Sequence, residues 1–452
     1  MLSFTTYTKE DYQVNFHHEI LCNKLDDFIK GEIKNLMVFM PPQHGKSELV
    51  SRRFPAYALG IDPNLKIAGC SYSSSLSSGF NRDVQRIIDT PKYNDIFPDT
   101  YLNKSNIRTS SRGNSLRNSD IFEPVGHSGF YKSVGVGGSL TGSPVDIGII
   151  DDPIKDSVEA FSKTTKERNW DWYTKVFKTR LHNDSKVLFT MTRWAYDDLA
   201  GRVLENEGED WEVLSLPAIK EDDDPSDPRD IGDALWPEKH SLERLEKVRD
   251  KTPTTFVSLY QQKPTPTEGN IIKDHWFNTF NLGDINIVRK KITVDAAYTA
   301  KEENDRSAGV CYSYVNGNWY VLDVFAVRKE FPELTELLPD FVRRNDPTMK
   351  SMVLTEPKGP GKSVTQILRR WGLNAKDSKS PTTDKMARLM SQIDYWESGR
   401  IYFLNGASWV EMVLEECKQF PKGKHDDILD ALMIMVDSEK SGGNPIFSAR
   451  KR

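Results

Sequence analysis

Residues 37–47 read MVFMPPQHGKS, and residues 145–153 read VDIGIIDDP. In each, an apolar run passes into polar residues: a Gly-Lys-Ser turn in the first, two adjacent aspartates in the second. A short run that is apolar at every position has to be covered on both faces, which suits a parallel strand flanked by helices. Further runs at 65–70 and 185–192 alternate with helix-like stretches at 45–60, 77–89 and 158–180, predicting an α/β unit with a parallel sheet. The same two segments carry the minimum for gripping a nucleoside triphosphate. Backbone N–H groups and Lys46 hold phosphates, Ser47 and Asp151 hold Mg²⁺, and Asp152 orients water.

The phosphate-loop pattern G-x-x-x-x-G-K-[ST] is incomplete here, because Met40 stands where its first glycine belongs. Gly361-Lys362-Ser363 offers a second Gly-Lys-Ser after a strand-like run. The first copy is favoured by its apolar strand, by the helix that opens at once behind it, and by the acidic strand end downstream. Gln43, His44, Gly45, Lys46, Ser47 and Glu48 are therefore the candidate nucleotide-binding residues, with Asp151. Thr190 and Thr192 end the next strand, where a hydroxyl can sense the terminal phosphate; an ordinary strand-to-loop junction explains them equally.

The chain has 452 residues, a length that predicts two domains. It carries a formal charge of −5, so any nucleic-acid contact has to use local basic patches. The four cysteines lack metal-site spacing, and no apolar run is long enough to span a membrane. The Ser/Gly-rich stretch 98–144 reads as a loop or hairpin excursion, or as a mobile segment near the nucleotide. The acidic, proline-rich run at 221–233 and the break at 263–270 suggest a linker over 216–270. The first domain is expected over 1–215, the second over 271–440, and a disordered tail over 441–452.

The second domain opens with a strand ending at Asp295. A hairpin over 307–327 turns at Asn-Gly-Asn, a strand over 350–356 ends in Glu356, and a last helix begins near Asp426 and Asp427. This predicts a mixed sheet with Asp295, Glu356 and Asp427 at element ends on one side. Carboxylates gathered in this way need cations, and two Mg²⁺ or Mn²⁺ ions would let them cut a phosphodiester. Asp426 is included as a metal ligand, with Asp305 and Asp430 as auxiliaries; Asp430 is equally a solvated or capping residue.

Together these segments resemble the large subunit of tailed-bacteriophage terminases. MPPQHGKSE (40–48), SYSSSLSSGFNRDVQRII (71–88), YKSVGVGGSLTG (131–142), IIDDPIKDSVEA (149–160) and MTRWAYDDLAGR (191–202) look like its ATPase segments. ITVDAAY, LTEPKG and KHDDILDAL look like its nuclease segments. The resemblance implies a P-loop ATPase domain followed by an RNase H-like nuclease domain. It places ATP and Mg²⁺ at Lys46, Ser47 and Asp151, makes Asp152 the catalytic carboxylate, and makes Asp295, Glu356 and Asp427 the nuclease ligands. It implies a viral DNA-packaging motor acting on double-stranded DNA, with the portal protein and the small terminase subunit as partners. A homo-oligomeric (pentameric) ring on the procapsid and a location in the host cytoplasm belong to the same expectation. Gln43 stands where many relatives carry Arg, so an arginine finger has to come from Arg82, Arg108, Arg112, Arg117 or a neighbouring subunit. Arg289, Lys290, Lys291, Lys358, Lys362 and Lys424 are candidates for DNA phosphate contact. The alternatives are an ATP-dependent helicase or remodeller whose second domain binds nucleic acid without cutting it, and a scaffold protein with a relic nucleotide site.

Overall fold

In a computed structural model, described for residues 1–109, 115–140, 142, 144–265, 270–296, 306–329, 331–357, 364–380 and 383–440, the chain forms two compact units, Met1–Pro266 and Thr267–Arg452. The first contains strands β1 (Asn35–Phe39), β2 (Lys66–Ser71), β3 (Ile121–Phe122), β4 (Phe130–Gly135), β5 (Val145–Asp151), β6 (Leu181–Met191) and β7 (Glu212–Ser215). They line up as β3-β4-β2-β5-β6-β1-β7. All neighbours are parallel except β3 and β4.

Two cores cover this sheet. Leu36, Val38, Ile67, Ile147 and Ile149 join one with Leu21, Leu25 and Phe28 of the helix Phe16–Lys30. Met37, Phe39, Ala68, Ile150 and Phe189 join the other with Trp172, Tyr173 and Phe177. Both faces are covered at the strand centres, which explains why Met37–Met40, Ile67–Cys70, Ile147–Ile150 and Val187–Phe189 read as apolar runs. Register places Phe39 beside Met191 and Asp151 beside Thr190. The ends of β5, β6 and β1 are therefore adjacent, at the carboxyl edge of the sheet, where ligands of α/β folds collect.

Two expectations need correction. The stretch 98–144 contributes β4, which runs parallel to β2 inside the sheet, so it is more than a surface excursion. Its small residues are required by packing: a Cβ at Gly135 would lie 2.7 Å from the Ser74 nitrogen. The expected linker 216–270 folds, as far as residue 265, onto the first unit. Leu216 and Leu235 enter its main core, while Ala218, Ile219, Ala234, Leu245 and Phe256 form a satellite core. Its acidic, proline-rich composition hid apolar positions too widely spaced to show a period.

The second unit contains β8 (Asn278–Phe280), β9 (Lys291–Asp295), β10 (Ser307–Val315), β11 (Asn318–Val327), β12 (Met352–Thr355), β13 (Ala375–Asp377) and β14 (Ile401–Leu404), ordered β13-β12-β9-β10-β11-β14-β8. The β9-β10-β11 pairs are antiparallel and the others parallel, giving the expected mixed sheet. The β10–β11 turn sits on Asn316 and Gly317, with φ of 50° and 86°. That left-handed pair is what a tight hairpin requires. Strands β8, β13 and β14 escaped the sequence reading because each has only three or four residues. Helix Phe331–Asn345 sends Leu334, Leu338, Phe341 and Val342 into the core with Ile292, Val294 and Val353. Helix Asp427–Lys440 takes the other face, where Thr293 Oγ1 donates to the Ala431 carbonyl at 2.8 Å. Among the described residues no helix is long and apolar enough to cross a membrane, and all four cysteines are free and buried.

Leu235 is fully buried in the first unit's core. Leu235→Ala should cost about 2–5 kcal/mol in urea unfolding of the full chain. A change below about 0.5 kcal/mol would show that 216–265 behaves as a linker after all.

Candidate functional site

The phosphate loop begins where β1 runs out of strand partners. Gln43 and Gly45 take left-handed φ values of 64° and 90°. At Gly45 a Cβ would meet His18 Nε2 at 2.7 Å, so glycine is required there. The chain then winds into helix with a π-helical first turn, Glu48–Arg53. Lys46 is buried, and its Nζ donates to the Met40 carbonyl (2.6 Å), the Pro41 carbonyl (3.2 Å) and Thr192 Oγ1 (2.9 Å). Thr192 N donates to Asp152 Oδ1 at 3.1 Å, so Lys46, Thr192 and Asp152 form one chain of contacts across β1, β6 and β5. Ser47 Oγ and Ser51 Oγ donate to Asp151 at 3.2 and 2.5 Å. Burial, and then neighbouring Asp152, push the Asp151 carboxyl well above its usual range. A buried carboxylate short of positive charge, next to a serine hydroxyl, is a donor set that fits Mg²⁺.

Lys46, Ser47, Asp152 and Thr192 border a cavity of about 510 Å³ that Pro42, Gln43, Gly45, Glu48 and Lys239 also line; Asp151 lies behind it, reached through Ser47. Glu48 also receives Lys9 (3.1 Å) and Arg53 (3.0 Å). Two expected residues lie elsewhere. The Thr190 hydroxyl is spent on the Val38 carbonyl at 3.1 Å. The His44 ring is fully buried and does not line the cavity; it stacks on His240 with centroids 4.5 Å apart. Its carbonyl has His17 Nε2 at 3.1 Å and His18 Nε2 at 3.3 Å. His18 Nδ1 accepts from Asn15 N at 3.1 Å, so the neutral ring carries its proton on Nε2. Sequence reasoning missed this histidine layer and Lys239, since both bind the loop from distant segments.

Of the arginine candidates, Arg117 pairs with Asp89, while Arg82 and Arg108 border a separate cavity of about 520 Å³. Arg112, Asp305, Lys358, Lys362 with the second Gly-Lys-Ser, and the tail from 441 lie outside the described residues.

In the second unit, Val353 pairs with Ile292 in the core, so Glu356 and Asp295, one residue beyond the Thr355–Val294 pair, share the opposite face. That face carries helix Asp427–Lys440. Burial first, and then Arg306 and Asp295 among nearby charges, shift Asp427, with a net rise. Burial and then Asp295 push Asp430 up to about 7. Asp430, treated above as auxiliary or solvated, is thus buried beside Asp295; its position one turn from Asp427 was the available signal. Asp426 instead meets Lys385 at 2.7 Å, and the same ammonium lies 2.8 Å from Asp430. Arg306 lies 3.3 Å from Asp427 and also pairs with Glu416, which receives the Ile428 and Leu429 N–H groups. Arg388 lies 3.8 Å from Glu356. The four acids gather on one face, but among the described residues no three His, Cys, Asp or Glu are grouped to hold a metal ion. Lysine and arginine supply the compensating charge, so the residues as placed do not form a chelate.

Lys291 pairs with Glu439 at 2.5 Å and Lys290 donates to the Asn345 carbonyl at 2.7 Å. Lys291 opens β9 at the end opposite Asp295, about 13 Å away at strand rise, and Lys290 precedes it by one residue. Lys424 is exposed, two residues before Asp426.

Burial holds His17, His18 and His44 down to about 2, 4 and 3. The unfolded chain takes up protons below pH 6.5 while these folded rings stay neutral. Their stabilisation is therefore complete above pH 6.5 and is lost as pH falls, on the order of 2 kcal/mol per ring at pH 5. Between pH 6.5 and 5 the slope of unfolding free energy against pH should be shallower by about one proton in His18→Gln. Equal slopes would mean that the folded ring is already protonated.

The terminase large subunit, T4likevirus-type, N-terminal family matches residues 37–279, and the terminase RNaseH-like domain family matches residues 292–439. Comparison with curated protein sequences finds no match. Among solved structures, the large terminase of a thermophilic bacteriophage (crystal form 2) is 11% identical, with a TM-score of 0.53 over 93% of this chain and 98% of that one. The same phage's large terminase in complex with ADP is 12% identical, with a TM-score of 0.50 over 94% and 99%. At such identities the likeness speaks for the fold, a P-loop-type sheet followed by an RNase H-like one. With both families matched in order along its length, the chain belongs to the terminase large subunits.

Proposed function

We propose that this chain is the motor and nuclease of a viral DNA-packaging machine. ATP hydrolysis in the first unit drives double-stranded DNA into a procapsid, and the second unit cuts concatemeric DNA at the start and end of packaging. The observation that carries the motor reading is the Lys46–Thr192–Asp152 chain of contacts bordering one cavity together with Ser47, whose hydroxyl reaches the buried Asp151 behind it. The Gly45–Ser47 backbone binds phosphates beside the Lys46 ammonium, which supplies fixed positive charge, and Ser47 and Asp151 would hold Mg²⁺, which would neutralise phosphate charge. Asp152 orients and accepts a proton from the attacking water. Thr192, touching both Lys46 and Asp152, passes the loss of the terminal phosphate to β6.

The nuclease reading rests on Asp295, Glu356, Asp427 and Asp430 gathering on one face of the second sheet. Divalent metal, Mg²⁺ or Mn²⁺, is part of this proposal, although the carboxylates are paired with Arg306, Lys385 and Arg388. Those ion pairs favour one alternative: an ATP-dependent remodeller whose second unit binds nucleic acid without cutting it. The portal protein, the small terminase subunit, a pentameric ring of this chain and a site of action in the host cytoplasm complete the proposal by family analogy.

Lys46→Ala should lower ATP turnover by roughly a hundredfold or more; turnover equal to wild type would leave a scaffold with a relic site. Plasmid nicking in Mg²⁺ or Mn²⁺ should be abolished in Asp295→Ala and by a chelator. If wild type and Asp295→Ala nick alike, the remodeller reading stands.

A further inference from the structure

Two cations line the phosphate cavity, Lys46 and Lys239. They are in different states. An ammonium has three N–H donors, and Lys46 has committed all of its own, to two carbonyls and Thr192. Lys239 is exposed, and among the described residues its ammonium donates to the Gln43 carbonyl alone, at 2.9 Å, leaving two donors. Among the described residues it has no carboxylate within ion-pair distance. Partial burial and then repulsion from Lys9 lower its pKa, as expected of a cation without a counter-charge.

The side chain is nevertheless held in place. Its ammonium lies 4.5 Å from the Trp236 ring centroid, and its backbone N–H donates to the Trp236 carbonyl at 3.1 Å. Trp236 is itself buried edge-on against His18, centroids 4.8 Å apart. A charge with free donors, fixed at the mouth of a cavity, is what anion binding requires.

We propose that Lys239 is the second phosphate-binding cation of this site and meets the terminal phosphate of the bound nucleoside triphosphate. The inference rests on the nucleotide reading above. The Gly45–Ser47 backbone, at the helix start, takes the inner phosphates. A cation bonded to Gln43, on the opening limb of the loop, is left the outermost one. Charge on the transferred phosphoryl oxygens is what such a group stabilises. Lys239 comes from the 216–265 segment, so that segment is part of the nucleotide site.

The test compares ATPγS and ADP binding to the full-length chain by calorimetry, with ATP turnover measured alongside. Lys239→Ala should weaken ATPγS by about tenfold or more, the loss expected for one charged hydrogen bond, and should lower kcat. ADP affinity should stay within about twofold, since ADP lacks the phosphate concerned, and Lys239→Arg should restore much of the loss. A parallel loss of ADP and ATPγS affinity would make Lys239 a clamp on the loop, and unchanged affinity for both would make it a bystander; either result overturns the proposal. Wild type that binds neither nucleotide would overturn the nucleotide reading itself.

Discussion

A carboxylate taken out of water has to find positive charge or give up its own. Asp151 has lost nearly all its exposure at the end of β5, with Asp152 beside it. Two serine hydroxyls and the nearby Lys46 ammonium compensate it only in part. The carboxyl edge of the first sheet is arranged around that shortage, and the metal–triphosphate complex proposed for the cavity is a ligand that would relieve it.

The same constraint acts on the second sheet with a different outcome. Asp295, Glu356, Asp427 and Asp430 crowd one face. Here the positive charge comes from Arg306, Lys385 and Arg388, and Glu416 ties Arg306 to the first N–H groups of the last helix. Acids that would otherwise repel one another are thereby kept together within a folded unit.

Contacts spread outward from the cavity at the Gly-Lys-Ser loop through short, buried steps. Next to Thr192, Arg193 forms a buried pair with Asp198, and its backbone N–H donates to Gln262 Oε1 at 3.1 Å. Gln262 and Lys239 both belong to the stretch that composition marked as a linker. The end of β6 and the phosphate loop are therefore both held by 216–265. The buried histidine layer, neutral at physiological pH, supports the loop from beneath without adding charge to the site.

Much of this was legible in order. β1, β2, β5 and β6 announced themselves because strands covered on both faces leave no polar alternation, and Lys46, Ser47, Asp151 and Asp295 each follow such a run. β4 and the 216–265 fold did not, because their apolar residues are sparse and set among Gly, Ser, Pro and Asp. Covalent sequence alone determined the two βα blocks, the phosphate-loop segment and the acidic strand ends, since local periodicity and turn chemistry are properties of neighbouring residues. Only tertiary structure decided that Asp430 lies beside Asp295, that Lys385 meets Asp426, that His44 turns inward and that Lys239 reaches the phosphate loop. Those are meetings of side chains distant along the chain, set by strand register and by which faces the cores bury.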